Sequence, residues 1–292
     1  MKFIDQGRIQ NRMKPRLASN IFFRTLFLLA TLFALLVLAV LLYRIIFQGI
    51  GYLDLQFLQS LPSRRPEQAG VLTALIGSIW LMAVVAPVAL ILGVGTAIYL
   101  EEYAKKNAMT TFIQINISNL AGVPSIVFGL LGLTVFVRAL ALGTSVLAAG
   151  LTMSLLVLPI IIVASQEAIR AVPKELREAS FGLGATKWQT IIRIVLPAAI
   201  PGILTGGILA LSRAIGETAP LVVLGLPLFV AFLPRTVFDI FTVLPMQIYN
   251  WTSRPQEEFH AIAAAGIIVL LVLLLLLNTI AVLIRNKYQR RY

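Results

Sequence analysis

The sequence predicts an all-α integral membrane protein with six spanning helices, and three observations predict it. Hydrophobic residues fill 59% of the 292 positions and charged ones 12%, where a soluble chain carries roughly half and a quarter. Six tracts are apolar over the about 20 residues that a helix needs to cross a hydrocarbon core. Lys and Arg concentrate on the loops of one face, as orientation in a bilayer requires. The net charge of +12 would suggest nucleic acid in a soluble domain; here those loops account for it, and no nucleic-acid partner is expected. Cysteine is absent and the single histidine is His260. That excludes disulfides, thiolate metal sites, iron–sulfur clusters and histidine-rich metal clusters, and, with no cysteine nucleophile and one histidine, argues against a membrane-embedded enzyme.

Residues 1–25 form a basic segment carrying Lys2, Arg8, Arg12, Lys14, Arg16 and Arg24. The first span covers 26–48. Its uncharged stretch, Leu26 to Tyr43, exceeds the roughly 7–15 apolar residues of a secretory signal, and no small-x-small cleavage site follows in YRIIFQGIGYL, so it reads as a retained helix. The remaining spans fall within 71–284: the second inside Val71–Leu100, the third inside Phe112–Val137, the fourth over about Ser145–Ser165, the fifth after Gln189 and the sixth over Ala261–Ile284. The second and third tracts are longer than one perpendicular crossing, which implies tilt or an interfacial turn. Residues 285–292 form a basic tail.

Starting from an inside N-terminus, the basic segment 1–25, Lys105 and Lys106, the loop set Arg170, Lys174, Arg177, Lys187 and Arg193, and the terminal Arg285, Lys287, Arg290 and Arg291 all share one side. The opposite face has Arg64, Arg65, Arg138, Arg235 and Arg254. The positive-inside rule then places both termini in the cytoplasm.

The fifth tract poses a length problem. As one straight helix, Gln189–Leu228 would extend about 60 Å, twice the hydrocarbon thickness. Pro197 and Pro201 lack backbone donors and crowd the carbonyls four residues back, which predicts an elbow there. A crossing from Gly202 to about Leu224 has its midpoint at Arg213.

The segment 167–197, between the fourth and fifth spans, reads EAIRAVPKELREASFGLGATKWQTIIRIVLP. A short helix after Pro173, a turn at Gly182 and Gly184, and a second amphipathic helix make a compact knob suited to a groove on another protein. Within it, Glu178, Ala179, Ser180, Gly184, Ile194, Leu196 and Pro197 follow the spacing E-A-A, three residues, G, nine residues, I-x-L-P, with Ser in place of the second Ala. This spacing resembles the signature of permease subunits of bacterial ABC importers. SRAIGETAPL and the outer segment FTVLPMQIYNWTSRPQEEF narrow the resemblance to the PstA-type permease of phosphate importers. It extends over most of the chain from Val71, is strongest over Glu167–Ala264, and does not include the first 25 residues.

The resemblance implies a type I ABC importer permease fold in the bacterial inner membrane, with 167–197 as the coupling loop that docks an ATPase. It also implies partners: a homologous second permease forming a heterodimer, two ATPase subunits and an external phosphate-binding protein. The sequence holds no G-x-x-x-x-G-K-[ST] phosphate loop, so ATP and magnesium are expected on the partner ATPase, with no cofactor in this chain.

Arg213 and Glu217 interrupt the apolar run LALSRAIGETAPLVV. A charge at mid-membrane costs about 2.5–3.5 kcal/mol on insertion scales and persists only with a partner or a wet cavity. At i, i+4 spacing the two can pair on one helix face, which allows a purely structural role in packing. The alternative is a substrate pathway lined by Arg213, whose fork of donors matches an oxyanion. Glu217 would then steady Arg213 and moderate its charge, or accept a hydrogen bond from protonated phosphate. Pro220 denies the Gly216 carbonyl its helical donor, and Ser212 and Thr218 supply polar groups beside the interruption. Gly202 and Gly206, at G-x-x-x-G spacing, read as a close helix contact. Trp80, Trp188 and Trp251 read as interface anchors, and Glu101 and Glu102, followed by Lys105 and Lys106, as a helix end of mixed charge without chemistry. The competing functions are a permease for sulfate, molybdate or phosphonate and, against the coupling signature, an ion-coupled secondary transporter.

Overall fold

The computed structural model describes residues 6–288. Lys2, Arg290, Arg291 and the outermost parts of the basic segments expected at 1–25 and 285–292 lie outside the described residues. Among those residues the chain is helical, and its one β-type contact is a bridge between Ser145 and Ile240.

Helix α1 (Gln6–Gly49) contains the predicted first span, and the apolar part of it buries nothing against the rest of the chain. It touches the fold near its end, where Gly49 lies so close to Ala264 and Ala265 that a Cβ would stand 2.6 Å from a backbone nitrogen. A short helix α2 (Leu55–Gln59), capped by Asp54, leads to α3 (Leu72–Ile98), which runs on through a π-helical turn, Tyr99–Tyr103. Next come α4 (Ala108–Leu120) and α5 (Ser125–Gly132), the latter extended by a second π turn, Leu133–Ala139. Helix α6 (Val146–Arg170) returns to the level of the loop 167–197.

The predicted third span is therefore not one helix. Its two halves meet at 104° across Ala121–Pro124. Pro124 has no N–H to continue the ladder and biases Val123 away from helical backbone, which turns a tilted rod into a corner.

After α6 come α7 (Lys174–Gly182) and α8 (Lys187–Thr190), then a third π turn, Ile191–Val195, and α9 (Leu196–Gly216). The helix does not break at Pro197 or Pro201 as expected: Lys187–Gly216 is a single helical run of 30 residues. The π turn immediately before Pro197 rearranges the bonding that a proline disturbs, and Pro201 is accommodated inside the helix. The break falls instead at Glu217 and Thr218, before α10 (Ala219–Leu224). A short helix, α11 (Leu244–Thr252), and the last span, α12 (Glu257–Tyr288), complete the chain. Among the described residues, five helices are long and apolar enough to span a membrane, or six if the bent α4–α5 pair is one span.

Helix α6 is the centre, with 67% of its apolar window buried against α3, α9 and α5. Lipid provides little hydrophobic drive between helices, so contact depends on close approach of small residues. Gly150 meets Val84, Gly93 meets Ile161, Gly202 meets Ala168 and Gly206 meets Ala164. The pair predicted from G-x-x-x-G spacing thus sets the α6–α9 contact.

Candidate functional site

Two regions carry the functional residues: the loop at one end of the bundle and the broken crossing at its middle. In the loop, α7 and α8 fold back on each other through a turn in which Gly184 adopts φ +80°. A side chain there would be strained by conformation alone, since nothing lies within 4 Å of its Cβ position. Thr186 and Gln189 form a capping box that starts α8. Ser180 is buried and its Oγ lies 2.9 Å from Thr190 Oγ1. The one departure from the signature spacing has therefore gained a hydrogen-bond partner. Glu178 and Ala179 are exposed, while Ile194, Leu196 and Pro197 are half-buried at the root of α9. Beyond the signature, Phe181, Leu183 and Trp188 are exposed, Leu183 to 89%. The apolar tip of the knob is thus uncovered within this chain.

The loop is tied to the bundle by residues that sequence reasoning passed over. Glu101 receives Arg170 and Gln166, and Glu102 pairs with Arg177, whose Nη2 also donates to the Ile169 carbonyl. The available signal was two adjacent acids at a helix end near an otherwise basic loop, which fits a solvated end equally well.

At the broken crossing, α9 runs antiparallel to α6 with Gly202 opposite Ala168 and Gly206 opposite Ala164. Four residues on one helix match four on the other, so Arg213 comes level with Val157, beside the midpoint of α6. Arg213 reaches that level on one continuous helical run. Arg213 lies in the last turn of α9, 48% exposed, with Nε 3.3 Å from Oε1 of Glu217, which is 22% exposed. Thr205, Leu209, Arg213 and Gly216 form an exposed stripe along α9, beside the buried face that meets α6, and Thr205 Oγ1 accepts from Arg285 Nη1 of α12 at 3.3 Å.

Ser212 turns elsewhere. Its hydroxyl lies 2.7 Å from the Ile208 carbonyl and 2.6 Å from Oδ1 of Asn278 on α12. This contact opens on a cavity of about 370 Å³ between α3, α9 and α12, otherwise lined by residues such as Met82, Leu211 and Ile280. Asn278 is a polar residue inside LLLLLNTIAVL that the sequence reading did not single out. Thr218 opens α10 through its carbonyl, which accepts from Leu221 and Val222, and its side chain caps no amide.

Close to the opposite mouth, Asp239 accepts from the amides of Arg235 and Thr236 and from the Thr236 hydroxyl. Those bonds hold its carboxyl below the usual aspartate range, the Arg235 amide contributing most. The same turn satisfies the start of α6, since Val146 N donates to Asp239 O and Leu147 N to Val237 O. Arg254 lies over the Phe259 ring at 4.2 Å, and burial, then the charge of Arg64, lowers its pKa.

Residues 89–290 match the family described as "Binding-protein-dependent transport system inner membrane component". The chain is 36% identical to the phosphate transport system permease protein PstA 1 of Mycobacterium tuberculosis H37Rv, over 97% of this chain and 91% of that protein. It is 39% identical to PstA of Mycobacterium leprae over 85% and 81%, and 32% identical to PstA of Yersinia pestis over 94% and 90%. In fold it is similar to the inward-facing MetNI methionine ABC transporter, with a TM-score of 0.59 at 16% identity over 73% of this chain and 94% of that one. A bacterial ABC transporter that imports alginate gives 0.55 at 16% identity, over 75% and 79%. With its all-helical ABC importer permease fold and several apolar spans, the chain belongs to the family of binding-protein-dependent transport system inner membrane components.

Proposed function

We propose that this chain is a permease subunit through which inorganic phosphate crosses the inner membrane, driven by ATP hydrolysed on separate subunits. The observation that carries this reading is Arg213 level with the middle of α6, half exposed on the α9 stripe beside a break in the crossing. A permanently charged guanidinium facing lipid is costly, so that face belongs against another polar surface or a wet path. A homologous second permease, completing a heterodimer across this stripe, would supply it. Broken helices mark many substrate sites because they free backbone groups in an otherwise bonded span. Identity with PstA proteins favours phosphate; Arg213 alone would serve sulfate, molybdate or phosphonate.

Coupling in this reading runs along one rod. Lys187–Gly216 joins the exposed loop to Arg213 without interruption, about 45 Å at 1.5 Å per residue. ATPase subunits docked on Phe181, Leu183 and Trp188 would displace the rod at its foot, and the path around Arg213 would exchange outward for inward exposure. Glu178, Ala179, Ser180, Gly184, Ile194, Leu196 and Pro197 shape that foot. An external binding protein would deliver phosphate at the opposite face, and both termini would be cytoplasmic. The magnesium and nucleotide would sit on the ATPase subunits.

In vesicles containing the assembled complex, labelled phosphate should enter only with ATP. Arg213→Gln should abolish entry while the ATPase subunits still copurify. Normal uptake in that variant would return Arg213 to packing, and uptake without ATP would reject the ATP-driven assignment.

A further inference from the structure

The end of α3 places two consecutive carboxylates against two different elements. Glu101 is held by a two-point fork from Arg170, Nη2 to Oε1 at 2.6 Å and Nε to Oε2 at 2.9 Å, and it also accepts from Gln166 Nε2 at 2.9 Å. Glu102 Oε1 stands 3.2 Å from Arg177 Nη2, which also donates to the Ile169 carbonyl at 2.7 Å. Gln166, Ile169 and Arg170 belong to α6, and Arg177 to α7. The π turn Tyr99–Tyr103 carries both acids and redirects successive side chains. Glu102 and Arg177 are 13% and 22% exposed, so water screens that pair less than it screens a surface bridge, whereas Arg170 on Glu101 is half exposed.

The connectors of α7 are weak by comparison. It is joined to α6 by Ala171–Pro173 and to α8 by the Gly184 turn, both exposed apart from Val172 and Ala185. A push on the knob would be absorbed by rotation about these joints unless α7 were braced. Leu176 packs on the cluster around Ile169 and Ala199, and polar contacts brace α7 further, from Arg177 to Glu102 and the Ile169 carbonyl and from Ser180 to Thr190 at the foot of the rod.

We propose that Glu102–Arg177, backed by Glu101–Arg170, is a strut that keeps the loop rigid against α3 and α6, so that displacement of α7 moves the helical core. The strut rests on the coupling role proposed above for the loop. Glu101, Glu102, Arg170 and Arg177 are positioning residues in this account, with no contact to substrate.

The test uses the whole complex in vesicles, with ATP hydrolysis and phosphate entry measured together. Glu102→Gln and Arg177→Gln should assemble and hydrolyse ATP, while phosphate imported per ATP falls by about tenfold, a size within the range of coupling between contacting residues. The reversed pair, Glu102→Arg with Arg177→Glu, should recover most of that ratio. An unchanged ratio in the single variants overturns the strut, as does equal loss of hydrolysis and entry without recovery in the reversed pair. Should Arg177→Gln fail to assemble, Glu102→Gln decides alone, because it leaves the Arg177 bond to the Ile169 carbonyl in place. Leu183→Asp separates the two readings: undiminished ATPase copurification there would refute docking on the loop, whatever the strut variants do.

Discussion

Arg213 and Glu217 stand 3.3 Å apart, Nε to Oε1, across a joint: Arg213 is in the last turn of α9, whereas Glu217 already has extended backbone, φ −78° and ψ 124°. The contact is at the long edge of the hydrogen-bond range. Among the described residues it engages only Nε of the guanidinium, and a forked donor set pointing to an exposed stripe remains available to an anion.

Arg213→Lys tests whether the fork or only the charge is needed. Lysine is a point charge on a flexible stem and cannot present two parallel donors. Losing one charge-assisted hydrogen bond, worth about 1.5–3 kcal/mol, should reduce labelled phosphate uptake by about 10–100-fold with assembly unchanged. Uptake at the unsubstituted level would show that charge alone suffices.

Glu217→Gln keeps an acceptor near Arg213 and removes the negative charge. If the carboxylate steadies and moderates Arg213, phosphate uptake should slow while excess sulfate still fails to compete. New competition by sulfate would instead assign Glu217 the reading of the phosphate proton, which sulfate lacks near neutral pH.

Gly206→Val should separate α9 from α6. The added Cβ would stand 2.3 Å from Ala164 Cβ, and neither helix has a flexible side chain there to give way. Overpacking of this kind costs about 1–3 kcal/mol, so the complex should lose thermal stability in detergent. Gly182→Ala, where a Cβ meets nothing within 4 Å, is the control and should not.

Ser180→Ala restores the residue of the signature and removes the bond to Thr190. The cost should be about 1 kcal/mol or less, with transport nearly intact. Ser180→Leu, forced into a buried position, should release α7 from α8 and lower ATPase copurification.

Asp239 predicts an acid limit for the turn that closes on α6. Its folded pKa is depressed, so its contribution is present above the unfolded aspartate value of about 3.9 and is lost as pH falls through the lower folded value. Protease nicking of residues 225–243 in vesicles exposing that face should rise below that value. Asp239→Asn, which lacks the charge that the amides favour, should show the same nicking at neutral pH.

Several features were legible because they depend on neighbours in sequence. Hydropathy and length located the spans, and Pro220 and Gly216 announced a break beside Arg213. The Gly202–Gly206 spacing foretold a close contact. The unbroken helix at Pro197 and Pro201 was not legible because proline shows where a helix loses a bond, while the local remedy, here a π turn at Ile191–Val195, depends on how the surrounding helices hold the backbone. The length of the third tract implied tilt or a turn without deciding between them, because an apolar tract has the same composition whether straight or bent; the corner lies at Ala121–Pro124.

By itself the sequence determined that this is a multi-spanning membrane chain, that 167–197 carries a helix–turn–helix knob, and that one arginine and one glutamate lie a turn apart in an apolar crossing. Those follow from composition, periodicity and covalent geometry, which act over a few residues. Only the tertiary structure decided that Arg213 is level with the middle of α6, that Ser212 turns to Asn278, and that Glu101 and Glu102 reach Arg170 and Arg177. Such pairings join residues about 65 to 75 positions apart, and they are set by which helices pack closely enough for side chains to meet.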